Sequence, residues 1–472
     1  MATLTFYGAV TDVTGSCYLI ETQHSRILME CGLFQGDSAT EKQNEAPFPF
    51  DASTLDAVVL SHAHLDHSGR LPKLIKEGFQ GVIYMTRATA ELLDVMLKDS
   101  ANLMARDIEW VNKRRKRAGK PEVSPLYSIE DVEATLNKCR GIYYQKQQKI
   151  TTDINVRFQD AGHILGSAIV ELFVKDDNAK GEHRHKKLVF TGDLGNSCAA
   201  LLRDPETITD ADVVLMESTY GDRNHKPLQE TLDEFNQILE DAAVSGGNVI
   251  IPAFAVGRTQ ELLFRLGERY QDNKLKQQAV FLDSPMAIAT TEIYHRFQDI
   301  FNDEDTLSLR QAHASSLHRW LPTLQYSRTP EESMALNRFT GGAIIIAGSG
   351  MCTGGRVGHH LKHNLWRREA HILIVGYQAR GTLGRRLVDG AKVVHLFGEE
   401  ISVNATIHTL GGFSAHAGQS QLLQWASHFH KPRPPLYLVH GEPESKSSLV
   451  KALQNELQWH GTIAQDRQTI TF

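Results

Sequence analysis

Ser61-His62-Ala63-His64-Leu65-Asp66-His67-Ser68-Gly69 is the stretch on which the reading of this chain turns. Before it, Asp56-Ala57-Val58-Val59-Leu60 is a short apolar, β-branched run and reads as a buried strand. After it, Leu71 to Lys76, closing at Gly78, reads as a short helix. Four ligand-type side chains therefore sit on a strand-to-helix turn, where rigid flanking elements hold loop residues still. His62 and His64, two residues apart, leave the strand end on one side and can share one cation. Asp66 and His67 fall at the helix start and point towards a second. Imidazole and carboxylate without thiolate suit zinc, with manganese as the alternative. A lone histidine is ordinarily a satisfied core or surface residue. Three histidines and an aspartate between positions 62 and 67 read as a metal site.

The 472 residues are enough for two or three domains with large cores. Hydrophobic residues make up 41% and charged residues 22%, the balance of a soluble globular protein. No apolar run approaches the ~18 residues that span a membrane. The start, Met1 to Tyr7, lacks the basic and apolar regions of a signal peptide. Cys17, Cys31, Cys139, Cys198 and Cys352 are far apart and form no CxxC, so reduced thiols in a cytoplasmic protein are expected. A net charge of −6 gives no global nucleic-acid signal, so a polynucleotide would be held by local positive charge and by metals.

Moving outward from the central turn, strands are expected at 4–10, 16–21 and 26–30, with Asp12 in the turn between the first two. On its own an aspartate there forms an Asx-turn. A strand at 81–85 leads to a helix from Thr86, its N-cap, to Leu97. The helical pattern continues from 99 to 119 and ends in Lys113-Arg114-Arg115-Lys116-Arg117. That basic run reads either as a phosphate-tracking element or as a solvated helix face. Paired strands over 154–174 are interrupted by Asp160-Ala161-Gly162-His163-Ile164-Leu165-Gly166-Ser167, and the strand 187–191 runs into Gly192-Asp193-Leu194-Gly195. His163 and Asp193, at strand ends beside glycines, are further ligand candidates. The charged tip 176–187 is expected to expose His183 and His185.

Strands at 211–216, 248–252, 279–282, 343–347 and 371–375 alternate with helices, the pattern of a mostly parallel sheet. Residues 35–53 and 303–333 read as irregular. The glycine-rich turn Gly348 to Gly355 reads as an anion cradle or as tight packing, and no Walker A sequence follows. Arg258 and Ser349 are the first candidates to grip a phosphate, with Ser218 and Ser414 beside them. A strand at 434–439 ends in His440, again a ligand type at a strand terminus. No internal repeat is visible.

Taken together, SHAHLDHSG, AGHILGS, TGDLG and the late strand-end histidine resemble the metallo-β-lactamase fold. ESTYGDR, PAFAVGRTQEL, GSGMCTGGR, GFSAHAG and LVHGE resemble its β-CASP branch of RNA- and DNA-processing nucleases. The resemblance implies an α/β fold, a four-layer αββα sandwich with an inserted α/β cap. Its domains would be residues 1–220, the β-CASP domain 221–410, and the completing segment 411–472. By motif match, His62, His64 and His163 would hold one Zn2+, and Asp66, His67 and His440 the other, with Asp193 bridging and Asp12 supporting from behind. Glu217 and His416 match the acidic and histidine motifs of the nuclease branch. The implied activity is a ribonuclease, endo- or exonucleolytic, that uses two metals and a bridging hydroxide to hydrolyse phosphodiesters. His416, oriented by Glu217, would protonate the leaving 3′ oxygen and leave 5′-phosphate products.

The expected partner is single-stranded RNA, with DNA as the alternative polynucleotide; no membrane is expected, and a homodimer is a further expectation. Ending about 30 residues after His440, the chain is expected to lack the C-terminal oligomerisation domain of the RNase J type, and N-terminal KH modules as well. Two rival classes share part of this pattern. A glyoxalase-II-like thioesterase uses the same HxHxDH logic but needs neither the large insertion nor the Glu217/His416 pair. A non-catalytic RNA-binding scaffold would have lost ligands, whereas all seven stand here.

Overall fold

The computed structural model describes residues 2–177, 183–197, 199–312, 314, 316–376, 378 and 381–472. Two compact units emerge. The first comprises Met1–Ser197, Asp204–Asn224 and His416–Phe472; the second comprises Cys198–Arg203 and His225–Ala415.

Among the described residues the first unit carries two seven-stranded sheets. One runs Thr469–Thr471, Thr3–Phe6, Tyr18–Glu21, Arg26–Met29, Ala57–Val59, Val82–Thr86, Cys139–Ile142. The other runs Gly461–Ile463, Leu436–Leu438, Val213–Met216, His183–Phe190, Ala168–Asp177, Ile154–Asp160, Gln148–Lys149. Ile154–Asp160 alternates buried and half-buried residues, so Ile154, Val156 and Phe158 point to one face. They meet Leu4, Phe6, Tyr18, Ile27 and Met29 of the facing sheet in one buried cluster. Each such large apolar side chain contributes roughly 1.5–3 kcal/mol on leaving water. On the other face of the second sheet, Ile169, Val189, Val214 and Met216 pack against Leu422, Trp425, Leu449 and Leu453 of the C-terminal helices. The helix Arg87–Arg117 packs on the first sheet through Val82–Thr86 and Cys139–Ile142. Helix, sheet, sheet, helix is the layering the resemblance implies.

In the second unit six strands pair in parallel, in the order Leu324–Tyr326, Ala279–Asp283, Ala343–Ala347, Val249–Pro252, His371–Ile374, Thr406–Thr409. Every residue of Ala343–Ala347 is buried, as in a parallel strand covered on both faces.

Three readings need correction. Residues 35–53 are not wholly irregular: a short helix spans Ser38–Glu41, its start set by the Asp37 carboxylate accepting from the Thr40 amide, and 3-10 turns follow at Lys42–Glu45 and Ala52–Thr54. Residues 303–333 are not irregular: helices span Asp303–Gln311, Leu317–Trp320 and Pro330–Ala335, with the strand Leu324–Tyr326 between. Each helix is short and weakly patterned, and its start is set by a cap. Asn302 accepts from the Asp305 amide and Ser316 from the Arg319 amide, while Thr329 and Glu332 form a capping box. The two helical segments expected over 86–119 are one helix of 31 residues, because nothing at Asp99 interrupts it. Thr86 caps it as expected, accepting from the Thr89 amide. Cys17, Cys31, Cys139 and Cys352 are free; Cys198 lies outside the described residues. His185 is exposed, and the His183 side chain lies outside the described set. Among the described residues no helix is long and apolar enough to cross a membrane.

Candidate metal centre

Ala57–Val59 ends one residue before the central turn, and His64 stands at the N-terminus of the short helix Leu65–Ser68. The turn therefore releases His62 and His64 from the strand while Asp66 and His67 ride the first helical turn. Two other loops close on it. Gly195 allows one approach: a Cβ there would lie 2.1 Å from the Gly162 carbonyl oxygen, so the Asp193 and His163 loops meet backbone to backbone. His440 enters with φ 48°, a left-handed conformation rare outside glycine. It is held there by its amide donating to Ala9 O (2.6 Å) and by its carbonyl accepting from the Ser218 amide (2.9 Å).

These loops bring all seven expected ligands together in two neighbouring clusters, His62, His64, His163 with Asp193, and Asp66, His67 with His440. In the first, His64 Nδ1 lies 3.2 Å from both His62 Nε2 and His163 Nε2. Asp193 Oδ2 lies 3.4 Å from His62 Nε2 and 3.6 Å from His163 Nε2. In the second, His67 Nε2 and His440 Nε2 are 3.2 Å apart, and Asp66 Oδ2 is 3.4 Å from His440 Nε2. Asp193 Oδ1 stands 3.4 Å from His67 Nε2. One carboxylate thus turns an oxygen to each cluster.

The chemistry of this donor set fits cations. Asp193 Oδ1 is buried without a hydrogen bond, an arrangement that costs energy unless something positive faces it. Tetrahedral zinc with nitrogen ligands at ~2.0–2.1 Å places those ligands about 3.3 Å apart, which is the spacing of the ring nitrogens. Glu30 and Ser61 set the lone pairs. Glu30 accepts from the Ser61 amide (2.7 Å) and the Ser61 hydroxyl (2.8 Å), and it also accepts from His67 Nδ1. Ser61 Oγ in turn faces His62 Nδ1 at 2.9 Å. With both Nδ1 atoms donating, both Nε2 atoms are left to bind metal. Thr219 Oγ1 does the same for His440, 3.1 Å from its Nδ1. Burial pushes the His62 pKa well down, which keeps the ring neutral and able to ligate.

Glu217 is buried, accepting from the Leu194 amide (2.7 Å) and the Thr219 amide (3.1 Å). Its Oε1 lies 3.4 Å from His416 Nδ1. His416 is fixed on the main chain by a bridge to Gly195 and by the Ala417 amide donating to Leu194 O. Burial alone would lower the His416 pKa. The Glu217 charge and hydrogen bond, with Asp193 and Asp66 beyond, instead raise it to about 9 in the metal-free protein.

The remaining candidates fall elsewhere. Asp12 is exposed, its carboxylate accepting from the Val13 amide; its carbonyl accepts from the Gly441 amide, next to His440. Ser218 is buried and donates to Val439 O at 2.7 Å, pinning the strand end before His440. Arg258, Ser349 and Ser414 belong to the second unit. Arg258 is buried and paired with Glu261, Ser349 accepts from the Thr353 amide within its own turn, and Ser414 is half-buried.

Glu30, Ser61 and Thr219 are missed by reading the sequence for function. Glu30 looks like the last residue of a strand, and only its φ of 64° turns the carboxylate inward. The one available signal is an acid closing the apolar run Ile27-Leu28-Met29.

Comparison with known proteins follows the same lines. A model of the metallo-β-lactamase superfamily matches residues 10–247, the β-CASP domain matches 259–387, and the Zn-dependent metallo-hydrolase RNA specificity domain matches 400–464. Ribonuclease TTHA0252 of Thermus thermophilus is 40% identical over 95% of both chains. An RNase J-like protein of Methanocaldococcus jannaschii is 30% identical over 97% of both. Transcription termination factor FttA of Methanosarcina mazei is 29% identical over 96% of this chain and 69% of its own. A solved protein of unknown function from Enterococcus faecalis V583 covers 100% of both chains at TM-score 0.56 and 13% identity, a likeness of fold.

Proposed function

The chain belongs to the metallo-β-lactamase superfamily and to its β-CASP branch, and from that premise we propose a ribonuclease that hydrolyses RNA phosphodiester bonds at a pair of zinc ions. The observation that carries the pair is the Asp193 carboxylate, whose two oxygens face two separate ligand clusters. His62, His64 and His163 would hold one ion, Asp66, His67 and His440 the other, and Asp193 both. When bound, such ions supply Lewis acidity: they bring water to a pKa of ~7 and neutralise charge on the phosphate.

The protein's own residues do the rest. Glu30, Ser61 and Thr219 orient the imidazoles, so the ligand atoms are set before substrate arrives. Glu217, locked by two backbone amides, keeps His416 aligned, and its charge favours the protonated ring. With Nδ1 turned to Glu217, His416 would give its proton from Nε2 to the departing 3′ oxygen, so the upstream fragment ends in a 3′-hydroxyl and the phosphate stays on the 5′ oxygen of the downstream fragment.

The test is incubation of 5′- and 3′-labelled single-stranded RNA and DNA with zinc-loaded protein, beside the Asp66→Ala/His67→Ala variant. Shortened RNA with 5′-phosphate ends, absent with the variant, is the expected result. Turnover of a glutathione thioester with RNA left intact would replace this reading by a small-molecule hydrolase.

A further inference from the structure

The helix Arg87–Arg117 changes character partway along. Its buried residues end at Ala101; beyond that point none is buried, and the helix is an exposed arm. At 3.6 residues per turn, Leu103, Arg106, Trp110, Lys113, Arg114 and Arg117 share one face. Leu103 is 52% exposed and Trp110 61%, and the Arg114 guanidinium lies 4.9 Å over the indole. The opposite face is tied to the returning chain. The Asn112 side chain donates to Val123 O (2.8 Å) and accepts from Val123 N (2.9 Å), while Arg115 Nε donates to Pro121 O (2.6 Å). The arm is braced on one side and holds its cations out on the other.

Residues 106–120 contain seven Lys or Arg against two acids, within a chain of net charge −6. One of those acids, Glu109, is paired with Lys113 at 2.6 Å. Like charges three and four residues apart weaken a helix; against that stand the Lys113–Glu109 pair and the helix dipole, which suits Arg114 and Arg117 in the last turn. A merely solvated face has no use for an uncovered tryptophan. Cations alternating with an exposed ring are the combination that grips a single polynucleotide strand, phosphates on the charges and a base on the ring. Two apolar side chains on that face are too few to seat a lipid surface or a partner helix.

We propose that this arm is a second holding site for single-stranded RNA, outside the metal centre, in which Lys113, Arg114 and Arg117 track phosphates and Trp110 stacks on a base. The proposal rests on the ribonuclease reading and adds where the rest of the substrate is held. At its other end the helix is anchored to the loop that carries His163, since Thr86 and Thr89 donate to Gly166 O (2.7 and 2.8 Å). From Thr89 to Trp110 the axis advances about 30 Å. At the ~3.4 Å per nucleotide of a fully stacked strand, roughly ten nucleotides reach both places; an unstacked strand needs fewer, and a 5-mer is too short to hold both firmly.

The experiment compares a 30-nucleotide and a 5-nucleotide single-stranded RNA on zinc-loaded full-length protein. Turnover is measured directly, and binding over a salt series in the Asp66→Ala background. Variants are Trp110→Ala and the combined Lys113→Gln/Arg114→Gln/Lys116→Gln/Arg117→Gln. The combined variant is expected to weaken 30-mer binding about 10- to 100-fold. It should also flatten the dependence of log K on log salt by about 2 to 3, at ~0.7 per lost contact. Trp110→Ala is expected to weaken the 30-mer about 5- to 100-fold with the slope unchanged. Turnover of the 5-mer should stay within about 2-fold for both, which also reports on folding. Unchanged 30-mer affinity and slope, or equal losses on both lengths, overturns the proposal. Loss of self-association or of phosphatidylserine-vesicle binding with RNA binding intact overturns it in favour of those partners. Wild-type protein that neither binds nor cleaves the 30-mer brings down the ribonuclease reading itself; wild type that cleaves while the arm variants match it brings down only the arm.

Discussion

Two turns of this molecule lead in the same way from a buried strand into a helix, and they differ in what they leave over. At the turn after Ala57–Val59, its own side chains and those of the loops carrying Asp193 and His440 bring ring nitrogens and carboxylate oxygens to 3.2–3.9 Å. Asp193 Oδ1, facing His67, is buried there without a hydrogen bond. In the turn after Ala343–Ala347, the groups satisfy one another. Ser349 N donates to Gly354 O (3.1 Å), Cys352 N to Ser349 O (3.1 Å) and Val357 N to Gly348 O (3.0 Å), while Ser349 Oγ accepts from Thr353 N (3.1 Å). Gly355, at φ +71°, lets the loop fold onto itself, for a Cβ there would lie 2.4 Å from Gly348 O. Composition marks both turns as interesting. Convergent, unsatisfied atoms mark only the first as a place where something must bind.

The comparison can be broken by substitution, and the largest effect is expected in the first turn. Asp66→Ala/His67→Ala should lower RNA cleavage by on the order of 10³-fold or more, because the nucleophile at neutral pH depends on the ions. Residual activity within tenfold of wild type in a single-turnover assay would break the contrast at its strong end. Next comes His416→Ala, with an expected loss on the order of 10²–10⁴-fold in the chemical step at unchanged metal content; a change confined to KM would remove the general-acid role.

The same residue makes a pH prediction. In metal-free protein its pKa is raised from 6.5 to about 9. The charged His416 therefore contributes stability fully below pH 6.5 and loses that contribution as pH rises to about 9. The Tm gap between metal-free wild type and His416→Gln should close across that window; a gap that opens with rising pH contradicts the assignment.

Glu30→Gln sharpens the comparison from behind the ligands. It keeps the shape but cannot accept from Ser61 and His67 together, and zinc affinity should fall ~10–100-fold. Calorimetric titration showing wild-type affinity would demote Glu30 to packing. The smallest effects belong to the second turn. Gly355→Ala should cost about 1–3 kcal/mol of stability through its left-handed backbone, read by denaturant melting. Ser349→Ala should change cleavage less than about 3-fold. A tenfold loss in kcat/KM for Ser349→Ala would give that turn a substrate role and erase the difference.

The same contrast explains what could be read from the sequence. His62, His64, Asp66 and His67 were legible because their geometry is local: a strand end followed by a helix start separates them in a known way. His163, Asp193 and His440 were legible as ligand types at strand termini and through motifs, though the loops that join them lie far apart in the chain. Glu30 and Thr219 were not, because their roles arise only when distant loops close, and one hinges on a backbone angle that carries no mark in the sequence. In the fold, the apolar strands Val249–Pro252 and Ala343–Ala347 announced themselves. The helices of 303–335 were hidden because short elements show little periodicity, although Asn302 and Thr329 stood as caps.

The most direct measurement of the central claim is an anomalous difference map at the zinc edge from crystals of zinc-loaded protein. Two peaks are expected in each chain, one among His62, His64, His163 and Asp193 Oδ2, the other among Asp66, His67, His440 and Asp193 Oδ1. A single peak, or a pair that leaves Asp193 bound to only one of them, would contradict it.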